Sequence, residues 1–145
     1  MHTLKRLVFL AVLGLVIAAC GSSESEVEVA LIEWSVTPSP TSVSSGDVTF
    51  SAANNGGEIH ELVIVKDVAP ADLPTDENGH VVEEEIPDGA LIGEIPEFEA
   101  GTTEVAKFNL EAGTYTIFCN IVEEDEGVVE SHFKNGMVNT VEVTA

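Results

Sequence analysis

Apolar and polar residues alternate along much of the chain, in short segments that end at turn-forming residues. The clearest segment runs from Glu104 to Leu110, where Ala106, Phe108 and Leu110 fall on one face. The same period of two predicts strands at 27–36, 48–52, 59–66, 114–119 and 137–143, and no long amphipathic helix pattern is present. Many short strands with few helices predict an all-β sandwich.

The segment 67–97 departs from this alternation. It is rich in proline and acidic residues and has no sustained period, which predicts a solvated loop with a short strand near 91–95 and one helical turn around 81–86. Its DENG stretch at 76–79 does not space oxygen ligands as an EF-hand does, so we do not expect a specific calcium site. His80 beside it has no ligand partner at regular spacing and is expected to be solvated.

The N-terminus has the features of an export signal. Lys5 and Arg6 are followed by an apolar run at 7–19 and then by Cys20. This order is typical of a signal peptide, and the tetrad IAAC that ends at Cys20 resembles a bacterial lipobox, after which the new N-terminal cysteine is lipidated. The apolar run is too short to span a bilayer. Ordinary secretion and a retained anchor are the alternatives.

These features divide the chain into three parts. We expect a lipoprotein signal peptide at 1–19, a lipidated and solvated N-terminal tether at 20–28, and one domain at 29–145. The protein would then be exported and anchored by lipid to the periplasmic or extracellular face of a membrane.

The charge of the chain is extreme. It carries 26 acidic residues against five lysines and arginines, for a formal net charge of −21. Loss of the signal peptide would remove Lys5 and Arg6 and leave three lysines. Such a surface argues against nucleic acid as a partner and against adsorption to an anionic membrane by charge. It favours a cationic partner, although a saline habitat or simple solubility explains it equally well.

Four side chains carry the chemistry. Cys119 is followed by His132 and Met137, and His60 lies far upstream. A thiolate, two imidazoles and a thioether form the ligand set of a type 1 copper site, which serves electron transfer. With Cys20 acylated, Cys119 would be a lone thiol that is oxidised unless it is buried or metal-bound. Each of the four residues taken singly could instead be a buried core residue.

The segments GTYTIFC, ending at Cys119, and SHFKNGM, ending at Met137, resemble those of the cupredoxins, the small blue copper proteins that include plastocyanin. The resemblance covers nearly the whole mature domain, with EWSVTP at 33–38 similar to the first strand of that family and IHEL at 59–62 similar to the setting of its upstream histidine.

The resemblance implies a Greek-key sandwich with one copper ion, cycling between Cu(I) and Cu(II), at one end. The long acidic loop region at 67–97 would be part of this domain. The implied copper ligands are His60, Cys119, His132 and Met137. It also implies a tyrosine corner at Tyr115, and a second histidine, His132, that is exposed as the electron port.

Two features depart from the family pattern. Twelve residues separate Cys119 from His132, where the family typically has two to four, and they include the acidic run 123–126. Loop closure costs little more for the longer segment, so the ligands can still converge, and we expect the four acids to lie near the metal and favour Cu(II). In addition, Ile59 and Glu61 flank His60 where proline and asparagine are typical.

Catalysis is not expected. Oxidases and reductases with type 1 copper relay electrons through a histidine adjacent to the cysteine, but Phe118 and Asn120 flank Cys119. We expect a monomeric electron carrier whose partner is a redox protein, such as a cationic cytochrome. A copper carrier or storage protein, and a metal-free interaction module with the same fold, are the alternatives.

Overall fold

Two β-sheets packed face to face make up the protein in a computed structural model that describes residues 24–145, apart from the side chain of Asp125. The strands are β1 (Ser25–Ile32), β2 (Ser35–Ser39), β3 (Ser42–Ser44), β4 (Gly46–Asn54), β5 (His60–Lys66), β6 (Leu91–Phe98), β7 (Thr103–Leu110), β8 (Gly113–Phe118), β9 (Val122–Asp125), β10 (Val128–Ser131) and β11 (Val138–Thr144).

The first sheet has the strand order β2-β1-β4-β7, and the second has the order β3-β11-β8-β5-β6. Strands β9 and β10 form a separate antiparallel hairpin. Most pairs are antiparallel, but β1 runs parallel to β4 and β3 runs parallel to β11. This architecture confirms the all-β sandwich that the alternation predicts.

The main core lies between the two sheets and follows the alternation of the strands. Every second residue of β1 and β4 is fully or almost fully buried there, as in Val27, Val29 and Leu31 of β1. In the opposite sheet Leu62 and Ile64 of β5 face the same core. A strand with one face on a core shows this period because its side chains point alternately to the two faces.

Strand β5 is buried on its outer face as well. Val63 and Val65 pack there with Leu73, Val81 and Ile86 of the segment 67–90. This segment contains two short 3-10 turns, Pro70–Asp72 and Glu83–Glu85, and leads into β6. The helical turn and the strand predicted for this region are therefore present. The prediction of a solvated loop is wrong in part, because three apolar side chains of the segment are buried. Its isolated apolar residues give no periodic signal, yet they pack in one buried cluster with residues of β5 and β8.

The single strand predicted at 27–36 is also wrong. The chain reverses at Glu33 and Trp34, so that Ile32 pairs with Ser35 across a two-residue turn. Trp34 has a φ of 70°, a left-handed conformation that costs energy in a bulky residue. No glycine, asparagine or proline marks this turn, and it therefore could not be recognised from turn propensity.

Part of the segment predicted to be an N-terminal tether belongs to the domain. Residues 25–28, expected to be part of a solvated tether, belong to β1 and pair with 48–51 of β4. Hydrogen bonding to β4 pairs the backbone groups of this segment, so it can be part of a strand although most of its side chains are polar. The predicted signal peptide and the lipidation site Cys20 lie outside the described residues. Within residues 24–145, no helix has the length and apolar character needed to cross a membrane.

Candidate metal centre

The four predicted ligands lie at one end of the second sheet. His60 is the first residue of β5, Cys119 directly follows β8, and Met137 directly precedes β11. Because β8 pairs antiparallel with both β5 and β11, the end of β8 and the starts of its two neighbours meet at the same edge. His132 directly follows β10 and returns to this edge.

Backbone hydrogen bonds hold Cys119, His132 and Met137 next to one another. The amide of Cys119 donates to the carbonyl of Met137 at 3.0 Å, and the amide of Met137 donates to the carbonyl of His132 at 2.9 Å. The amide of His132 in turn donates to the carbonyl of Ile121 at 3.0 Å. This last bond closes the base of the insertion, so the twelve intervening residues do not separate the two ligands in space.

The donor atoms of three residues converge. The Nδ1 atoms of His60 and His132 are 3.2 Å apart, and the Sγ of Cys119 lies 4.0 Å from the first and 3.4 Å from the second. All three residues are completely buried. A first-row metal such as zinc binds nitrogen at about 2.0 Å and sulfur at about 2.3 Å, which places donor atoms roughly 3.5 Å apart in a trigonal site. The three donors therefore fit a metal ion.

Met137 is the fourth predicted ligand and is also completely buried. It belongs to the same apolar cluster as Cys119 and is held between His132 and Cys119 by the two backbone bonds described above. The backbone of Met137 thus lies at the site, and its side chain is buried.

Burial dominates the chemistry of the thiol. It raises the pKa of Cys119 to about 12, while the backbone amides of Glu61 and Ile121 act in the opposite direction. Without a metal the thiol therefore stays protonated and unreactive at neutral pH. A cation at the site would displace this proton, because a coordinating thiol is deprotonated. Burial likewise lowers the pKa of His60 and so favours the neutral imidazole that binds metals.

The outer nitrogens of both imidazoles face carboxylates. The Nε2 of His60 is 3.6 Å from Oε1 of Glu33, and the Nε2 of His132 is 3.3 Å from Oε2 of Glu58. The amides of Glu33 itself and of Gly57 hold the pKa of the Glu33 carboxyl below its usual range. Burial raises the pKa of Glu58, against the effect of the nearby His132. Neither acid was identified as part of the site from the sequence.

The loop between β4 and β5 positions these groups. Asn54 is buried, and its side-chain amide donates to the carbonyls of Glu58 at 2.7 Å and Phe98 at 3.2 Å, while its Oδ1 accepts from the amide of Gly56 at 3.1 Å. The Glu33 carboxylate accepts from the amides of Gly57 at 2.6 Å and Glu58 at 3.0 Å. The sequence NNGG at 54–57 is typical of a turn, but nothing in it indicates the link to Glu33.

The insertion forms the β9–β10 hairpin. Glu126 and Gly127 at its turn have φ values of 50° and 83°, as a two-residue type I′ turn requires. Glu123 and Glu130 are paired across the hairpin, and Glu123 forms a cluster with Glu58 and His132 in which one ligand atom from each lies within 4.8 Å of the others. The acidic run is therefore beside the site at Glu123, whereas the next residue, Glu124, points to the opposite face of the hairpin.

His132 is not exposed, contrary to the expectation that it serves as a surface electron port. Its side chain is completely buried, and the ring of Trp34 meets it edge to face with a centroid distance of 5.6 Å. Trp34 itself is 37% exposed. The left-handed turn at Glu33 and Trp34 is the reason, because it places an aromatic ring over the histidine and a carboxylate beside the other imidazole.

Asn120 links the site to the segment that covers the outer face. Its side chain makes two hydrogen bonds with the backbone of Val81, at 2.6 and 3.0 Å. Its backbone amide donates to the carboxylate of Glu61 at 3.1 Å. Glu61 and Asn120 each follow a predicted ligand, so this bond ties the two ligand strands together. His80 is exposed as expected, although its Nε2 lies 3.3 Å from the Asn120 amide nitrogen.

Comparison with solved structures finds the same fold in auracyanins and rusticyanin. Auracyanin from Roseiflexus castenholzii, in its dithionite-reduced form, has 20% identity and a TM-score of 0.60, covering 83% of this chain and 98% of its own. Auracyanin A from Chloroflexus aurantiacus has 22% identity and a TM-score of 0.53, covering 83% and 99%. Rusticyanin from Thiobacillus ferrooxidans has 18% identity and a TM-score of 0.54, covering 86% and 79%.

The chain has the cupredoxin fold. At these identities the likeness establishes the architecture and not the activity. No protein-family model matches the sequence, and no curated protein matches it. The resemblance seen in the two ligand segments thus extends to the whole described domain, and the chemistry of the site rests on its own side chains.

Proposed function

We propose that this protein binds one copper ion in a type 1 site and transfers single electrons between redox partners at the cell envelope. The observation that carries the proposal is the convergence of two imidazole nitrogens and one thiol sulfur, all completely buried, beside a buried methionine. Of the proteins with the same fold, auracyanin A is described as a "blue" copper protein.

The donor set selects copper. Nδ1 of His60, Nδ1 of His132 and Sγ of Cys119 would hold the copper ion, with the thioether of Met137 as a fourth and weaker ligand. Thiolate and thioether suit Cu(I), and imidazole suits copper in either state, whereas zinc sites rarely use methionine. Copper, when bound, would change between Cu(II) and Cu(I) by gaining or losing one electron.

The protein contributes a rigid, dry setting for that change. His60 is paired with Phe98 of β6, and the backbone hydrogen bonds among 119, 132 and 137 hold the other three donor residues. Little ligand movement is then needed when the electron is transferred. Copper delivery to another protein is disfavoured, since an acceptor would have to reach donors that are completely buried.

Partner access follows from what covers the site. Because His132 is buried, we assign the docking surface to the region around the partly exposed Trp34, which contacts the His132 ring. The charge of the chain favours a cationic redox protein such as a basic cytochrome. The rate of electron exchange with such a partner should fall steeply with salt, because the Debye length shrinks from about 10 Å at 0.1 M to about 3 Å at 1 M. A rate independent of salt would contradict electrostatic docking.

The decisive experiment is spectroscopic. The full-length protein loaded with one equivalent of Cu(II) should show the intense visible band of thiolate-to-copper charge transfer. The band should disappear with dithionite and return on reoxidation. A protein that binds copper without this band, or that binds only zinc, would contradict the proposal.

The envelope location rests on the N-terminal sequence. We propose that residues 1–19 are removed and that Cys20 is lipidated, which anchors the domain to the membrane. Intact mass spectrometry of the native protein should find acyl mass on an N-terminal Cys20. The variant Cys20→Ala should accumulate as an unprocessed precursor, and an unmodified Cys20 in the native protein would contradict the anchor.

A further inference from the structure

The outer nitrogens of the two histidines form an unusual pair of contacts. Among the side chains that the structure describes, three buried polar atoms lack a hydrogen-bond partner, and they are Nε2 of His60, Nε2 of His132 and Oε2 of Glu58. All three belong to the two imidazole–carboxylate pairs. Buried polar groups are almost always satisfied in folded proteins, so their clustering here requires an explanation.

Metal binding at Nδ1 supplies that explanation. A neutral imidazole carries one proton, and a metal at Nδ1 places that proton on Nε2. Each Nε2 then becomes a donor that faces a carboxylate, Glu33 at 3.6 Å and Glu58 at 3.3 Å. Both contacts would tighten into charge-assisted hydrogen bonds, which are stronger than neutral ones.

The Glu33 carboxylate and the backbone of Glu58 are held in place by hydrogen bonds that do not depend on a metal. Glu33 accepts two backbone hydrogen bonds, from Gly57 and Glu58, and a side chain at position 56 would collide with its carboxylate, so Gly56 leaves room for it. Glu58 is held through its carbonyl by the buried Asn54. The loop that leads to His60 thus provides the carboxylate for His132, and the β1–β2 turn provides the one for His60.

We propose that Glu33 and Glu58 are positioning residues that hold the two ligand imidazoles through Nε2 and, by their charge, favour the oxidised form of the metal. The proposal rests on the proposed copper site. Partners of this kind orient a ligand histidine and raise its basicity, and their loss typically lowers metal affinity 10–100-fold. Two negative charges beside the imidazoles stabilise Cu(II) more than Cu(I), because Cu(II) carries the larger charge.

The test compares Glu33→Gln, Glu58→Gln and the double variant with Glu124→Gln. Glutamine keeps the size of the side chain and an acceptor oxygen but removes the charge. Glu124 is the matched control, since it lies in β9 next to Glu123 but on the opposite face of the hairpin. Each site variant should lower the ratio of Cu(II) to Cu(I) binding constants about tenfold, which raises the reduction potential by about 59 mV. Glu124→Gln should produce only a small part of this rise.

A second measurement reports the hydrogen bonds themselves and does not need copper. In the full-length protein loaded with zinc, nitrogen-15 NMR should show both imidazoles protonated at Nε2, with slowly exchanging, downfield protons. Glu58→Gln should move the His132 resonance and leave that of His60 nearly unchanged, and Glu33→Gln should do the reverse.

The outcomes separate the two proposals. A protein without the charge-transfer band but with both Nε2 protons in its zinc form would contradict the copper function and support the Glu33 and Glu58 contacts. A blue protein whose site variants shift the potential no more than Glu124→Gln, or whose Nε2 protons do not respond to Glu33→Gln and Glu58→Gln, would contradict the role of the two acids alone. If Glu33→Gln does not fold, Glu58→Gln decides, because Glu58 accepts no backbone amide bond through its carboxylate within the described residues.

Discussion

The two histidines reach the same site from regions of very different character. His60 begins an interior strand of the second sheet, where it pairs with Phe98 of β6, and the rest of this strand pairs with both β6 and β8. His132 follows an exposed hairpin and is placed mainly by backbone bonds to Ile121 and Met137. Both side chains are nevertheless completely buried and both face a carboxylate.

This difference shows how a long insertion can coexist with a closed site. The hairpin satisfies its own backbone groups by pairing β9 with β10, so only its base has to meet the domain. His60 begins a strand that continues between β6 and β8, while His132 is held by the backbone bonds at the base of the hairpin. We therefore expect the residues around His60 to contribute more to the free energy of unfolding. We expect those around His132 to contribute more to the reduction potential.

The largest effect on the copper site is expected at Cys119, whose sulfur lies near both histidines. The variant Cys119→Ser should abolish the visible band completely, because the thiolate is the source of the charge transfer. Absorption spectroscopy of the copper-loaded protein measures this. As a control, Met137→Leu should keep the colour but raise the reduction potential, since the axial thioether is a weak donor. A blue Cys119→Ser protein would show that the ligand assignment is wrong.

A stability comparison tests the two sides directly. Asn54→Ala removes three hydrogen bonds from the loop before His60 and should lower the free energy of unfolding by about 2–3 kcal/mol. Ser131→Ala, beside His132, removes bonds to Gly79 and Lys134 and should cost about 1 kcal/mol. Urea denaturation of the metal-free proteins gives both values. An equal or larger cost for Ser131→Ala would reverse the proposed division of stability.

Tyr115 provides a reference away from both histidines. Its hydroxyl donates to the carbonyl of Glu111 at 2.9 Å, as a tyrosine corner would, and Tyr115→Phe should cost about 1 kcal/mol without changing the reduction potential. Denaturation and voltammetry test these two expectations. A changed potential would mean that strand β8 transmits distortion to the site, and the two sides could then not be compared separately.

The pH dependence of the same residue has a definite sign. Burial raises the pKa of the Tyr115 phenol, so the unfolded chain loses this proton first and the folded protein binds more protons. Stability should therefore fall as the pH rises past about 10, the ordinary value for tyrosine. Denaturation across this range should show a smaller fall for Tyr115→Phe, and an identical fall would show that other groups cause it.

The smallest effect distinguishes the two faces of the hairpin. Glu123 lies beside Glu58 and His132, and a carboxylate about 10 Å from the metal acts on the additional charge of Cu(II) by roughly 0.4 kcal/mol in water. Glu123→Gln should therefore raise the potential by about 20 mV, and Glu124→Gln by less. Voltammetry at low and high salt measures the shifts, which salt should reduce. Equal shifts would mean that the hairpin does not hold one face towards the site.

The sequence alone predicted the sandwich and the set of four candidate ligands. Alternation in β4, β5 and β7 is a local property, because side chains of a strand point to opposite faces regardless of its partners. The ligand chemistry is local as well, since Cys119, His132 and Met137 differ from their neighbours in what they can bind. Both inferences required only residue types and their spacing.

Only the tertiary structure decided how the site is enclosed. The Glu33 carboxylate binds an amide 24 positions away, and the two imidazoles that converge are 72 positions apart. Acidic residues are abundant throughout this chain, so their number could not reveal which two face an imidazole. The turn at Trp34 and the burial of His132 depend likewise on packing between distant segments. Such contacts arise when the sheets and loops assemble, and no period or motif within one segment encodes them.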